Sequence, residues 1–314
     1  MHIVFLDRMS IGSDLDLSEF STLGEVTMYE FSTPEEVPER AADADILVVN
    51  KIPVNASTIG SAERLKLVCV TATGTNNLDK EYLAERNIEW RNVAGYSTES
   101  VAQHTFALLF YLWEHLRYYD EYVKDGRYAD DKMFTHYQNQ FHELSGKTWG
   151  IIGLGNIGRR VAEIASAFGC HVRYYSTSGR NHTEDFEEVG MEELLSGSDI
   201  ISIHAPLNEN TEGLIDLEKL RKMKSDAILL NLGRGQIIVE EDLMQALKEG
   251  AIGAAGLDVL CEEPMSKQSP FLGYHDSDRL FITPHIGWAS LEARTRLMHI
   301  IAGQIREFLG QNAE

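Results

Sequence analysis

The chain has 314 residues, 43% hydrophobic and 25% charged, an ordinary globular composition and more than one core can organise, so two compact domains are expected. Its formal net charge of −21 argues against a general affinity for nucleic acid or an anionic membrane, because either needs clustered Lys and Arg. Cys69, Cys170 and Cys261 are odd in number and far apart, and neither C-x-x-C nor H-E-x-x-H occurs, which points to reduced thiols and away from a disulfide framework or a metal site.

The first residues, Met-His-Ile-Val-Phe-Leu-Asp, hold too short an apolar run for a signal peptide. The longest apolar run, residues 107–113, is far below membrane-spanning length, so the expected address is the cytoplasm. Strand-like runs at residues 3–6, 46–49, 67–70 and 88–90 alternate with helix-compatible segments at 34–42 and 79–86, the pattern of a small α/β unit with a mostly parallel sheet. In such sheets ligands meet the carboxyl ends of strands. Two loops stand there: Asn50-Lys51-Ile52-Pro53, where Lys51 is a candidate ligand contact, and residues 71–77, where the Thr73 and Gly74 amides can hold a small carboxylate.

Residues 100–124 read as one long helix with a broad apolar face, of the kind that crosses between domains or packs on a second subunit. His104 and His115 on it read as surface or packing histidines. Residues 125–141 read as an irregular excursion without nameable chemistry. Gly146-Lys147-Thr148 resembles the end of a phosphate loop, but Phe141 stands where its first glycine is required and a strand follows where a helix should, so it reads as a turn.

Residues 149–158, W-G-I-I-G-L-G-N-I-G, organise the rest. A short apolar strand leads into G-x-G-x-x-G, and an apolar-periodic helix begins at Asn156 and Ile157. Gly153 permits the tight turn, Gly155 lets a pyrophosphate approach the backbone, Gly158 lets helix and strand pack, and the helix N-terminus offers N–H groups to the anion. A dinucleotide is expected here. The next strand, residues 171–175, ends in Ser176-Thr177-Ser178-Gly179-Arg180, where an acidic residue would accept both ribose hydroxyls. Small hydroxyls beside a guanidinium suit a 2′-phosphate, which favours NADP over NAD.

Four more strands are expected, at residues 200–204, 227–231, 254–259 and 280–283, completing a six-stranded dinucleotide-binding sheet. They end in His204-Ala205-Pro206, in Asn231-Leu232-Gly233-Arg234-Gly235, in Asp258 followed by Glu263, and in Thr283-Pro284-His285-Ile286-Gly287. Interconverting a ketone and an alcohol needs a hydride path, a proton donor and a cation for the substrate. His285 can exchange the proton, since an imidazole titrates near neutral pH and a neighbouring carboxylate, Glu263, favours its charged form. Arg234, between two glycines, can grip a 2-oxo acid through planar charge-assisted donors, and Asp258 is placed to accept from the nicotinamide amide.

Taken together, residues 153–158, His204-Ala205-Pro206-Leu207 with Thr211, the Asn231–Gly235 run, Gly256-Leu257-Asp258-Val259 with Glu263-Pro264, and Thr283-Pro284-His285 resemble the D-isomer-specific 2-hydroxyacid dehydrogenase family over essentially the whole chain. The resemblance implies a catalytic set of Arg234, Glu263 and His285, with Lys51, Thr73 and Gly74 joining Arg234 and His285 around the substrate. It implies dinucleotide contacts from the glycine turn, His204, Ala205, Pro206, Thr211, Leu232, Gly233, Arg234, Asp258, His285 and Gly287, to which the reading above adds Ser176, Thr177 and Arg180; Ser176 departs from the family, whose NAD-dependent members usually carry an acid there. It further implies a Rossmann domain over residues 99–285 and a smaller flavodoxin-like domain from 1–98 and 286–314. A homodimer held through the cofactor domain and the long helix is implied as well. Residues 50–51, 72–77 and 285–290 look most like glycerate dehydrogenase or hydroxypyruvate reductase members, hence a small polar 2-oxo or 2-hydroxy acid. A dinucleotide-sensing corepressor or scaffold on the same fold is the competing expectation.

Overall fold

The computed structural model describes residues 1–311. The chain forms two compact units, one from Met1–Ser97 with the segment starting at Trp288, the other Thr98–Gly287. Among the described residues no helix is long and apolar enough to cross a membrane.

The first unit holds a parallel sheet of β1 (His2–Phe5), β2 (Glu25–Met28), β3 (Ile46–Val49), β4 (Leu67–Val70) and β5 (Glu89–Arg91), in the order β2-β1-β3-β4-β5. β3 and β4 are apolar on both faces because both are covered. Ile3, Phe5, Ile46, Val48 and Leu67 share a core with Leu297, Ile301 and Ile305 of the helix Leu291–Gln311, so the C-terminal helix returns to the N-terminal sheet. Val4, Leu47, Val49 and Val68 on the other face pack with Val37, Ile59 and Leu83. Arg294 pins the returning helix through Asp14 at 2.6 Å. The sequence reading contains no counterpart of β2, an edge strand that is exposed or half-buried throughout and so has no apolar run.

The second unit is a parallel sheet of β6 (Thr148–Ile152), β7 (His171–Tyr175), β8 (Glu187–Glu188), β9 (Ile200–Ile203), β10 (Ile228–Asn231), β11 (Ala254–Leu257) and β12 (Leu280–Ile282). Their order is β12-β11-β10-β9-β6-β7-β8. The six expected strands are joined by β8, a two-residue edge strand too short and too acidic to show periodicity. The chain reverses direction across the sheet between β6 and β9, the crevice where such sheets take ligands. One face is closed by helices carrying Leu194, Leu220, Leu243 and Leu247. On the other, Gly256 leaves room for Leu108 and Leu112 of the helix Thr98–Trp113.

The expected single helix over 100–124 is two, Thr98–Trp113 and Leu116–Lys124, broken where His115 adopts a left-handed φ of 51°. Apolar spacing continues on both sides of the break, so periodicity alone could not reveal it. Residues 127–130 make one 3-10 turn, and the stretch after it folds back so that His136 stacks on Tyr122 at 3.8 Å.

Candidate active site

A continuous ladder of backbone hydrogen bonds carries the strand ends of the second sheet in register. Gly153 donates to Tyr175, His204 to Ile152, Leu232 to Ile203, Asp258 to Asn231 and Thr283 to Leu257, at 2.8–3.4 Å. The site residues leave the sheet from this one row.

At the glycine turn the three glycines do different work. Gly153 has a φ of 94°, and a Cβ there would meet the Ala205 backbone at 2.8 Å; one on Gly158 would meet the Gly153 carbonyl oxygen at 2.2 Å. A Cβ on Gly155 would meet nothing within 4 Å, leaving open space over the N-terminus of the helix Asn156–Ala167, which has no side-chain cap. Asn156 is exposed and Ile157 half-buried there. Unpaired N–H groups facing open space are a cradle for a phosphate.

Two buried polar atoms near this turn have no partner among the described residues, Ser176 Oγ and His204 Nδ1. Ser176 follows β7 directly. Burial draws the His204 ring down to a pKa of about 3, so it is neutral in the physiological range. Part of the His204 surface remains accessible although Nδ1 itself is sealed. Thr177 is half-buried, and Arg180 is exposed, its guanidinium unpaired among the described residues. The loop that carries Arg180 is tied down by His182, which bridges the Gly179 carbonyl at 2.9 Å and Glu188 at 2.7 Å.

Arg234, Glu263 and His285 come from the ends of the three neighbouring strands β10, β11 and β12, whose outer two lie about 10 Å apart. Asn231 holds the Arg234 turn: its Oδ1 accepts from the Gly233 N–H at 3.0 Å and its Nδ2 donates to the Arg234 carbonyl at 2.9 Å. One guanidinium nitrogen of Arg234 donates to the Gly233 carbonyl at 2.8 Å, and the others have no partner among the described residues. Gly233 lies against the Ala205 carbonyl, and Leu232 is buried. His285 Nδ1 lies 2.6 Å from Glu263 Oε2, while the other carboxylate oxygen accepts from the Leu260 N–H at 3.1 Å. His285 has a left-handed φ of 54°, a conformation costly for a histidine and found where surroundings impose it.

Those surroundings centre on Asp258, which is 3% exposed. Its Oδ1 accepts from Thr283 Oγ1 at 2.6 Å and from the Ile286 N–H at 2.9 Å, its Oδ2 accepts from the Gly287 N–H at 2.8 Å, and His104 Nε2 stands 3.4 Å away. Burial pushes the Asp258 carboxyl up, but His104, Thr283 and the two amides outweigh it and hold it below the usual carboxylate range. Asp258 thus braces the loop that presents His285. Gly287 has both backbone groups engaged, since Ser100 Oγ donates to its carbonyl at 2.6 Å. The buried Thr211 likewise donates from its hydroxyl to the Pro206 carbonyl at 2.7 Å and accepts from the Asn208 N–H, bracing the exposed Pro206 turn. His104, read from sequence as a surface or packing residue, belongs to the Asp258 network through Thr283 at 2.9 Å. Only its helix position was legible beforehand.

In the first unit, Lys51 is exposed, and its N–H and that of Asn50 donate to the buried carboxylate of Asp7 at 2.8–3.0 Å. Sequence reasoning passed over Asp7, a single acid at a strand end. The Thr73 hydroxyl donates to the Val93 carbonyl at 2.9 Å, and Asn92 holds the Thr73 carbonyl. The Thr73 and Gly74 amides have no partner among the described residues.

A family model described as D-isomer specific 2-hydroxyacid dehydrogenase, NAD binding domain, matches residues 106–287. The chain is 38% identical to a hydroxypyruvate reductase of Blautia hydrogenotrophica, over 98% of this chain and 97% of that one. The chain belongs to this family. The dehydrogenase is also 38% identical to a glycerate dehydrogenase of Methylorubrum extorquens, over 96% of this chain and 93% of that protein. Among solved structures, an acyclic imino acid reductase in complex with NADPH and D-Arg superimposes with a TM-score of 0.87 at 32% identity, covering 99% of this chain and 98% of that one. The dehydrogenase is therefore a nicotinamide-dinucleotide oxidoreductase of small 2-oxo and 2-hydroxy acids. Its own residues fit that cofactor: open space over Gly155, an uncapped helix N-terminus, and the orphaned Ser176 and His204 atoms.

Proposed function

We propose that the enzyme reduces hydroxypyruvate, glyoxylate or a similar small 2-oxo acid, forming the D-2-hydroxy acid where the product is chiral, with NADPH preferred over NADH. The observation that carries this reading is the delivery of one guanidinium and one bonded carboxylate–imidazole pair from three adjacent strand ends of a single sheet. The dinucleotide, when bound, supplies or takes the hydride. Arg234 holds the substrate carboxylate with its unpaired nitrogens and polarises the ketone. His285 donates a proton from Nε2 to the carbonyl oxygen as the alcohol forms, while Glu263 keeps the ring oriented by accepting from Nδ1. Asp258 and Thr283 keep the His285 loop in place. The Thr73 and Gly74 amides and Lys51 are further donors for a small anionic substrate, with Asp7 fixing the Lys51 backbone.

The small substrate is supported by the hydroxypyruvate reductase and glycerate dehydrogenase relatives, and NADPH by Ser176, Thr177 and Arg180 standing where an acid would repel a 2′-phosphate. Following the near-ultraviolet absorbance of each reduced dinucleotide with a panel of 2-oxo acids tests both points. The highest kcat/KM is expected for hydroxypyruvate or glyoxylate with NADPH. Turnover confined to bulky branched 2-oxo acids, or to NADH, would overturn the assignment.

The same reading includes a homodimer. Met133, Phe134, Tyr137 and Phe141, close in sequence in the second unit, are 54–85% exposed, large apolar side chains of the kind a subunit interface covers. Sedimentation of the full chain would show a dimer that Phe134→Asp with Tyr137→Asp dissociates; a monomeric wild type would remove this part.

A further inference from the structure

Trp149, Ser202 and His204 form a buried relay between β6 and β9, which are paired through Ile151 and Ser202. The Trp149 indole is fully buried, and its N–H, which can only donate, reaches Ser202 Oγ at 2.9 Å. Ser202 is fully buried as well, and its Oγ lies 3.0 Å from His204 Nε2. The hydroxyl hydrogen then needs an acceptor of its own, and the one it has among the described residues is Nε2. A neutral imidazole that accepts at Nε2 carries its proton at Nδ1. Burial keeps the ring neutral, as its pKa of about 3 also indicates. Nδ1 is therefore a buried donor, and it has no acceptor among the described residues, an arrangement that is costly until a ligand supplies one.

The location indicates which ligand. The His204 N–H donates to the Ile152 carbonyl at 2.8 Å, and the next residue, Ala205, fills the space that a Cβ on Gly153 would need. The His204 backbone thus stands beside the glycine turn. We infer that Trp149 and Ser202 are positioning residues that lock His204 in its Nδ1–H tautomer, so that the ring donates a neutral hydrogen bond to a phosphate or ribose oxygen of the dinucleotide. The inference rests on the dinucleotide reading of the glycine turn and goes beyond it in naming the donor atom and the two side chains that set it.

Nitrogen-15 spectra of full-length protein labelled at histidine test it directly, with the His204 signals assigned by their loss in His204→Asn. The expected result is a ring protonated at Nδ1, unchanged across the neutral pH range, whose Nδ1 signal moves when NADPH is added. Ser202→Ala should give a mixture of tautomers, and Ser202→Thr, which keeps the hydroxyl, should restore the single one; a merely structural serine would leave the tautomer alone. Dinucleotide affinity, measured by calorimetry, adds a second readout. Asn places its amide nitrogen near the Nδ1 position and should bind NADPH nearly as wild type does, whereas His204→Gln reaches Ser202 instead and should bind about tenfold more weakly, about 1.4 kcal/mol. A ring protonated at Nε2, an Nδ1 signal indifferent to NADPH, or wild-type affinity in His204→Gln would overturn the inference while leaving dinucleotide binding intact. Failure of the wild type to bind either NADPH or NADH would instead remove the dinucleotide reading and this inference with it.

Discussion

His285 Nδ1 stands 2.6 Å from Glu263 Oε2, and the two residues come from the ends of adjacent strands twenty-two positions apart. With Nδ1 held by the carboxylate, the opposite ring nitrogen has no partner among the described residues, and in the proposed mechanism it is the one that exchanges a proton with substrate. His285→Ala should lower kcat by about 10²- to 10⁴-fold, the usual worth of a placed acid–base group, and change the Kd of NADPH far less. Glu263→Gln keeps an acceptor without its charge and should lower kcat by less. Stopped-flow turnover and separate dinucleotide titrations measure both; unchanged turnover in His285→Ala would remove it from the mechanism.

Arg234 offers a planar fork between two glycines that cannot be lengthened, since a Cβ on Gly235 would meet the Leu260 backbone at 1.9 Å. Lysine at this position keeps the charge and loses the paired donors. Arg234→Lys should therefore lower kcat/KM for a 2-oxo acid by about 10²-fold or more, the cost of losing a donor at a developing alkoxide. A steady-state comparison in which Arg234→Lys matched wild type would show that only the charge matters.

The orphaned hydroxyl of Ser176 sits where the dinucleotide ribose is expected. Introducing a carboxylate, Ser176→Asp, places like charge against a 2′-phosphate, which costs several kcal/mol. The kcat/KM ratio for NADPH over NADH should fall by about 100-fold. A ratio that did not move would mean that phosphate recognition lies elsewhere.

His204 also sets an acid limit on stability. Its folded pKa of about 3 is below that of a free imidazole, ~6.5. On acidification the unfolded chain takes up this proton first, so the stability linked to the neutral ring is whole above about pH 6.5 and declines as pH falls toward the folded value. His204→Asn removes that linkage and leaves every carboxylate in place. Thermal melts between about pH 6.5 and pH 4 should show a shallower loss of Tm in the variant than in wild type, and parallel curves would contradict the burial argument.

Much of this architecture was legible before any coordinates. The strand–glycine turn–helix at residues 149–167 is encoded locally, because the turn, the close approach and the helix start each demand particular residues at fixed spacing. The same holds for the Asn231–Gly235 turn, where the asparagine and both glycines close on themselves. β2 and β8 were invisible, since edge strands need no apolar run.

The sequence by itself determined the parallel α/β class and the strand–glycine turn–helix, and it singled out Arg234, Glu263 and His285 as the proposed catalytic set, because these follow from periodicity, glycine geometry and side-chain chemistry in short windows. Only the tertiary structure decided that Asp258 braces the His285 loop from inside, that His104 joins it from a distant helix, and that Trp149 orders His204 through Ser202. Those are hydrogen bonds between residues far apart in the chain, and their partners are selected by sheet register and burial, which no local pattern records.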